Sequence, residues 1–159
     1  MTAIVQHPDS LVSTSVFVAD GTFRFEDVPS APEVLMAYAD GYAPAVSSFT
    51  TAGGDWLNGH LRLSAEAKAT GQVLDAVAKP VAGAQLIIRY TDAVANATML
   101  AGFVGGAPIT KADGTFALTG LVPHTPVTLY AESDEQQTNT VTIEVGPGQT
   151  RSDVVLRLP

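Results

Sequence analysis

The sequence of 159 residues contains no cysteine, a single tryptophan and only eight basic side chains. Without cysteine the chain forms no disulfide, holds no zinc–thiolate or iron–sulfur centre and offers no thiol nucleophile. Sixteen acidic residues outnumber the basic ones, so the formal net charge is −8. A chain this acidic repels phosphate backbones and anionic lipid surfaces, and we therefore expect no nucleic-acid ligand.

Long uninterrupted apolar runs are also missing. The longest apolar tract, residues 93–109, is too short and too often broken by Asn, Thr and Gly to span a bilayer. The N-terminal residues show no basic segment followed by an apolar stretch, so they do not have the pattern of a signal peptide. We expect no membrane insertion, and either a protein that stays where it is made or an internal piece with a start Met added.

A short segment, ADGTF, occurs twice, at residues 19–23 and 112–116. The similarity continues after each copy through a strand-like stretch, a Gly-rich turn and a closing LRL at 61–63 and 156–158. A match of this kind is typical of two copies of one supersecondary unit. The sequence therefore predicts two domains, residues 1–64 and 65–159, with a boundary in the segment 63–70.

Hydrophobic side chains alternate with a period of two in both copies. Short runs such as Phe116 and Leu118, Val127 and Leu129, or Leu156 and Leu158 are broken by Gly, Pro and Asp. Alternating runs rich in Val, Thr, Phe and Tyr predict strands with one buried face. No window shows a capped helical face, so we predict an all-β chain made of two tandem β-sandwiches.

The repeated Asp-Gly pairs, Asp20–Gly21 and Asp113–Gly114, have two interpretations. Asp-Gly between alternating runs indicates a hairpin turn, because Gly accepts positive φ and Asp bonds the backbone two residues on. The alternative is a calcium site, but no D-x-D-x-D-G cluster surrounds either Asp. We interpret both pairs as hairpin turns and expect no metal.

The segments TGQVLDAVAKPVAGAQLIIRY and ADGTFALTGLVPHTPVTLYA, with the closing strand, resemble the carboxypeptidase-regulatory-like repeats. Those repeats are similar to transthyretin and to the B-type repeats of bacterial collagen adhesins. The resemblance covers nearly all of residues 68–158, but only the second half of copy one, through MAYADGYAPAV. It implies Ig-like or transthyretin-like Greek-key sandwiches and an accessory, stalk or adhesion role without catalysis.

Copy one departs from this pattern because it lacks the opening segment. Residues 2–18 supply only a hairpin, with 7–10 as its turn, so the first sandwich is truncated. A sandwich short of one strand leaves an exposed sheet edge, which is a template for another chain.

Copy two carries an apolar insertion, Thr91–Pro108, between its second and third strands. The insertion either packs on its own chain or forms a subunit contact, since exposed apolar patches mark interfaces. On the second interpretation the partners are protein subunits of a larger assembly, and we expect a homo-oligomer. The candidate contact residues are Met99, Leu100, Phe103 and Val104.

Residues for chemistry are sparse. His7, His60 and His124 show no metal-ligand spacing, and surface loops account for all three. The resemblance also suggests a spontaneous isopeptide bond that would draw on Lys68, Asp153 and Glu132, but the Lys and the last strand depart from the usual pattern. We predict no catalytic residue, no cofactor and no enzyme.

Two aromatic residues, Tyr42 and Trp56, lie on predicted loops of copy one. They either cap the end of a small core or stack on a ligand such as a cell-surface glycan. Two functions remain open. The preferred one is a non-enzymatic decoration or assembly component on the exterior of a multi-subunit particle such as a virion. The alternative is a stalk or carbohydrate-binding module of a secreted bacterial protein at the cell surface.

Overall fold

The computed structural model describes residues 2–6, 13–17, 21–25, 32–50, 52, 60–91 and 108–159. The chain divides into two compact units, Met1–Ser64 (unit 1) and Ala65–Pro159 (unit 2). Every regular element in these described residues is a β-strand, which confirms the predicted all-β class. The same residues contain no helix that is long and apolar enough to cross a membrane. That the two units are copies of one repeat stays a prediction.

Unit 1 contains one antiparallel sheet with the strand order β2-β1-β3-β4. β1 and β2 pair as a hairpin, as the sequence predicts for residues 2–18. β3 lies in the middle of the sheet because it pairs with β1 on one side and β4 on the other. The strands are β1 (Thr2–Gln6), β2 (Ser13–Phe17), β3 (Pro32–Tyr38) and β4 (Ala45–Thr50).

The central strand β3 is covered on both faces. Leu35, Met36 and Ala37 are consecutive and all buried, although successive side chains of a strand point to opposite faces. The next residue, Tyr38, donates its hydroxyl to the Met36 sulfur at 3.5 Å. Partial burial raises the pKa of Tyr38 to about 12, because the phenolate is poorly solvated there.

Unit 2 is a β-sandwich of two sheets. One sheet has the order β10-β8-β6, with β9 added to β8, and the other has the order β11-β5-β7. Successive strands β5, β6, β7 and β8 alternate between the two sheets, so each connection crosses the core. The strands are β5 (Ala67–Leu74), β6 (Gln85–Tyr90), β7 (Thr115–Leu121), β8 (Val127–Ser133), β9 (Gln136–Gln137), β10 (Val141–Ile143) and β11 (Thr150–Arg157).

The core of unit 2 follows from the alternation in the sequence. Alternate residues are buried in part of each of β6, β7 and β11, as at Val154 and Leu156 of β11, and the residues between them are more exposed. Each fully buried Leu or Val side chain stabilises the fold by about 1.5–3 kcal/mol. Buried core residues of both sheets include Ala69, Val73, Leu86, Ile88, Phe116, Leu118, Val127, Leu129, Val154 and Leu156.

Two threonine hydroxyls are buried beside this core, and both are satisfied. Thr110 Oγ1 accepts from the Ala84 N–H at 2.9 Å and donates to the Val81 carbonyl at 2.7 Å. Thr138 Oγ1 accepts from the Ala131 N–H at 2.9 Å. Each hydroxyl thereby accepts a hydrogen bond from a buried backbone N–H, as a carbonyl of a neighbouring strand would. An unpaired N–H in this position would be costly.

Candidate functional site

Seven of the residues singled out by the sequence lie outside the described residues, and the roles assigned to them stay predictions. They are His7 of the first hairpin, Asp20 of the first turn, Trp56 of the ligand contact, and Met99, Leu100, Phe103 and Val104 of the subunit contact.

Tyr42 lies in the turn between β3 and β4. Its N–H donates to the Ala39 carbonyl at 3.1 Å, and its side chain is 48% exposed. The next residue, Ala43, is buried, and its N–H donates to the Ser64 carbonyl at 2.9 Å. The turn is therefore fixed through Ala43, while the ring of Tyr42 keeps a face for an apolar or sugar-like surface.

The turn before β7 is closed by backbone bonds on both sides. The Gly114 N–H donates to the Lys111 carbonyl and the Lys111 N–H donates to the Thr115 carbonyl, both at 2.9 Å. Gly114 has a φ of 71°, and Gly21 of the first ADGTF segment has a φ of 86°. Glycine adopts this left-handed region without steric cost, which explains the residue at both positions.

The carboxylate of Asp113 is used by the same turn. Its Oδ1 accepts from the Thr115 hydroxyl at 2.6 Å and from the Thr115 N–H at 3.0 Å. These two hydrogen bonds, the hydroxyl one first, hold the pKa of Asp113 below its ordinary value. The Gln72 side chain also donates to the Asp113 carbonyl at 2.9 Å, so the turn is tied to β5.

The titratable groups of the described residues do not converge. His60 and His124 are both exposed, and His124 donates its N–H to the Val145 carbonyl at 2.9 Å. The buried Tyr90 hydroxyl accepts from the Val122 N–H at 3.0 Å, and burial raises the pKa of Tyr90. No group of three or more His, Asp or Glu residues within the described ranges is placed to hold a metal ion.

The side chains considered for an isopeptide bond are not brought together. Lys68 is 46% exposed and its Nζ pairs with Glu66 Oε1 at 3.1 Å, while Glu66 Oε2 accepts from the Gly120 N–H at 2.6 Å. Asp153 is exposed on β11, and Glu132 is exposed on β8 in the other sheet. Among the described residues, the ion pair of Lys68 is with Glu66 and with neither Asp153 nor Glu132.

An open depression of about 380 Å³ is lined by Glu132–Gln137 at the β8–β9 turn. All of its lining comes from one hairpin, and most of the side chains are exposed. An active site usually combines groups from several elements in a pocket that excludes water. This depression does neither.

The arrangement that distinguishes unit 2 is the pairing of its first strand with its last. β5 and β11 run parallel, with register pairs from Thr150–Lys68 to Arg157–Leu74. The ladder is extended at both ends, because the Lys68 N–H donates to the Gln149 carbonyl and the Leu158 N–H to the Leu74 carbonyl, both at 2.9 Å. The chain thus begins unit 2 at one end of this sheet and leaves it at the other.

A bulge in β11 fixes the register of this ladder. The register shifts between Arg151 and Val154, and Asp153 within the bulge has a φ of 62°. The Val154 carbonyl oxygen lies directly over Gly71, where a Cβ would clash with it, and the tip of the Phe116 ring would be 2.6 Å from that Cβ. Only glycine fits this position of β5.

Asn139 holds the other edge of β11. Its N–H donates to the Arg157 carbonyl at 3.0 Å, and its Oδ1 accepts from the Arg157 N–H at 2.6 Å. The side chain thus completes a strand-like pair of bonds at the end of β11. Neither Asn139 nor Gly71 was singled out from the sequence, since each role depends on a neighbour far away along the chain.

No protein-family model matches the chain, and no curated protein matches it. Three solved structures illustrate what it is similar to. A streptococcal ancillary pilin is 12% identical, with a TM-score of 0.45 over 92% of this chain and 50% of its own. The shaft pilin spaA from Lactobacillus rhamnosus GG is 13% identical, with a TM-score of 0.42 over 80% of this chain and 64% of its own.

The third structure is the Bacillus anthracis TIE protein, 13% identical, with a TM-score of 0.40 over 99% of this chain and 30% of its own. The chain therefore spans less than two thirds of each of these proteins. The resemblance to carboxypeptidase-regulatory-like repeats specifically stays a prediction.

Proposed function

We propose that the chain is a non-enzymatic structural module of a bacterial surface protein, acting as a spacer or stalk segment. The observation that carries this proposal is the parallel pairing of β5 with β11. Because the two strands run in the same direction, the chain enters unit 2 at one end and leaves at the opposite end. The eight residues of β5 span about 25 Å.

A module of this design can be placed in series with others. The beginning of β5 and the end of β11 lie at opposite ends of this strand pair, so a further domain can be joined at either end of unit 2. The described titratable groups, which are exposed or used within turns and strands, add no catalytic constellation. We therefore place the role of the chain in spacing and display.

The bacterial surface setting agrees with the names of the two pilins, whose structural similarity is too low to carry the assignment. The virion setting preferred in the sequence analysis has no support among the described residues. We retain an assembly component as the second candidate because of Ile109. This side chain is 63% exposed, directly after the insertion, at a point where Gln85 bridges to it.

Solution mass separates the two candidates. Light scattering across a concentration series should give the monomer mass of 16.5 kDa for a spacer module. A stable oligomer would contradict that setting and favour the assembly component. The matched variant is a deletion of 94–106, which returns an oligomer to monomer if the insertion forms the contact and leaves a monomer unchanged.

The glycan contact is tested on the same protein. A glycan array with the wild-type chain should show no binding for a plain spacer. If binding is found, Trp56→Ala should weaken it by about 1–3 kcal/mol, the contribution of one interface aromatic. Tyr42→Ala is the companion variant, since its ring is exposed on a turn that Ala43 holds in place.

A further inference from the structure

We propose that the paired first and last strands make unit 2 a force-bearing element, which resists tension applied at its two ends. The inference deepens the proposed function and rests on it in one respect: a module carries tension only when neighbouring segments hold both ends.

The direction of the strands determines how tension acts. Pulling residue 65 and residue 159 apart slides β5 and β11 past one another along their length, because the two strands are parallel neighbours. The register pairs and the terminal bonds from Lys68 and Leu158 then bear the load together. In a hairpin pulled open at one end, the bonds break one after another instead.

β5 is the middle strand of its sheet, and the edge strand β11 is held at its C-terminal end. β5 is held on its other side by antiparallel pairing with β7. On the side of β11 away from β5, two hydrogen bonds join Asn139 and Arg157 at the end of the strand. Val73 of β5 and Leu156 of β11 are buried in the core, so sliding exposes apolar side chains to water as well as breaking hydrogen bonds.

The bulge adds a steric stop to this ladder. The Val154 carbonyl lies over Gly71, which has no side chain to meet it. A shift of β11 by two residues along β5, which keeps the same faces together, would bring that carbonyl over Ala69 or Val73, both of which carry side chains on the face of Gly71. The strands therefore have one register that fits, and intermediate positions during sliding are unfavourable.

Unit 1 lacks this arrangement within its described residues. Its first strand, β1, pairs with β2 and β3, and both pairings are antiparallel. Residues 60–64 of the same unit are joined to the rest by the bond from the Ala43 N–H to the Ser64 carbonyl. We expect unit 1 to yield at a lower force than unit 2.

Single-molecule pulling on the full chain tests the proposal. The sequence has no cysteine, so a cysteine added at each terminus attaches the handles at defined positions. Unit 2 comprises 95 residues (159 − 65 + 1) and unit 1 comprises 64. At about 3.5 Å per extended residue, the two unfolding events have maximum lengths of about 330 and 220 Å, which identifies each unit.

A second pulling direction distinguishes resistance to shear along the β5–β11 pair from a high equilibrium stability of unit 2. Val77→Cys places the handle at the 71%-exposed tip of the turn after β5, paired with the C-terminal handle. Leu74 and Arg157 are register partners at that same end. Force then opens the β5–β11 pair from one end, in a protein whose equilibrium stability is essentially that of the wild type.

With handles at the two termini, we expect unit 2, the longer event, to unfold at several-fold higher force than unit 1. We also expect unit 2 to unfold at several-fold higher force in this geometry than in the Val77 geometry. Equal forces in the two geometries would overturn the shear-bearing role. Unfolding of unit 2 before unit 1 in the terminal geometry would overturn it too. Both outcomes are independent of the solution mass, so an oligomer would contradict the spacer setting while the pulling result still decides the force-bearing role.

Discussion

Both units contain an antiparallel sheet with a similar central strand, but the sheet that contains β5 and β11 is described only in unit 2. In unit 2, β8 lies between β6 and β10, and in unit 1, β3 lies between β1 and β4 with the same antiparallel pairing. In unit 2 a second sheet places β5 between β7 and β11. The described residues of unit 1 show no counterpart of that sheet, and the sequence predicts that copy one lacks the opening strand.

This comparison identifies the sheet of β5, β7 and β11 as the part of the fold that joins the two ends of unit 2. The shared sheet is built from antiparallel neighbours that lie closer together along the chain than β5 and β11 do. The parallel pair of β5 and β11 joins the beginning of unit 2 to its end and closes almost the whole unit into one loop. Non-local pairing of this kind forms slowly but makes the ends of the module part of one cooperative structure.

The largest expected effect comes from filling the space over Gly71. Gly71→Ala places a methyl group against the Val154 carbonyl and the Phe116 ring, so β5 and β11 must separate. We expect unit 2 to lose about 3 kcal/mol or more of unfolding free energy, as for severe overpacking. Urea unfolding followed by circular dichroism measures the loss.

Gly146→Ala is the matched control, because its new methyl group would meet only the end of the Gln149 side chain. Trp56, the single tryptophan, belongs to unit 1 and reports that unit separately by fluorescence. A Gly71→Ala protein as stable as the control would show that β11 does not approach β5 closely.

The next effect concerns two neighbours on β11. Leu156 is fully buried, whereas Val155 points outward and is 39% exposed. Leu156→Ala should cost about 2–5 kcal/mol through the lost burial and the remaining cavity. Val155→Ala should change stability by no more than about 0.5 kcal/mol. Equal costs, measured by urea unfolding, would mean that β11 does not present one face to the core.

A smaller effect follows from the side chain of Asn139. Asn139→Ala removes the acceptor for the Arg157 N–H, and we expect a loss of about 1 kcal/mol. Thr140→Ala, at the exposed neighbouring position, is the control. Hydrogen exchange of the C-terminal peptide should accelerate in the Asn139 variant alone, and an unchanged rate would contradict the role of Asn139 at this edge.

The smallest effect is a pH dependence from the exposed turn carboxylate. The folded-state pKa of Asp113 lies below its ordinary value of 3.8, so ionised Asp113 favours the folded state. That stabilisation is present above pH 3.8 and is lost as the pH falls towards the folded-state pKa. Asp113→Asn should unfold more readily than the wild type at neutral pH, with the difference shrinking below about pH 4.

Asp20→Asn extends this comparison to unit 1, where the sequence predicts the same turn. If Asp20 is hydrogen-bonded as Asp113 is, the unfolding midpoint of unit 1 will show the same convergence at low pH. A difference between wild type and Asp113→Asn that stays constant from pH 6 to pH 2 would contradict the turn role of the Asp113 carboxylate.

Much of the fold was predictable because its signals are local. Phe116 and Leu118 are two residues apart, as are Leu156 and Leu158, and this period of two predicts strands. The structure confirms the all-β class. The hairpin of β1 and β2 followed from residues 2–18. These features depend on side-chain periodicity within a few residues, which a single sequence displays.

The features that join the ends of unit 2 were not predictable in this way. Gly71 looks like an ordinary weak point in a strand until the bulge at Asp153 is placed over it. Asn139 looks like a loop residue until Arg157 returns beside it. Each depends on the parallel register of β5 with β11, which period-two alternation alone does not specify.

The central claim is that β5 and β11 behave as one unit, and native-state hydrogen exchange followed by mass spectrometry tests it most directly. We predict that peptides from residues 67–74 and 150–157 exchange at the same slow rate, in one cooperative opening, while peptides from β1 and β4 of unit 1 exchange faster. Exchange of residues 150–157 well ahead of residues 67–74 would contradict the claim, because the last strand would then open independently of the first.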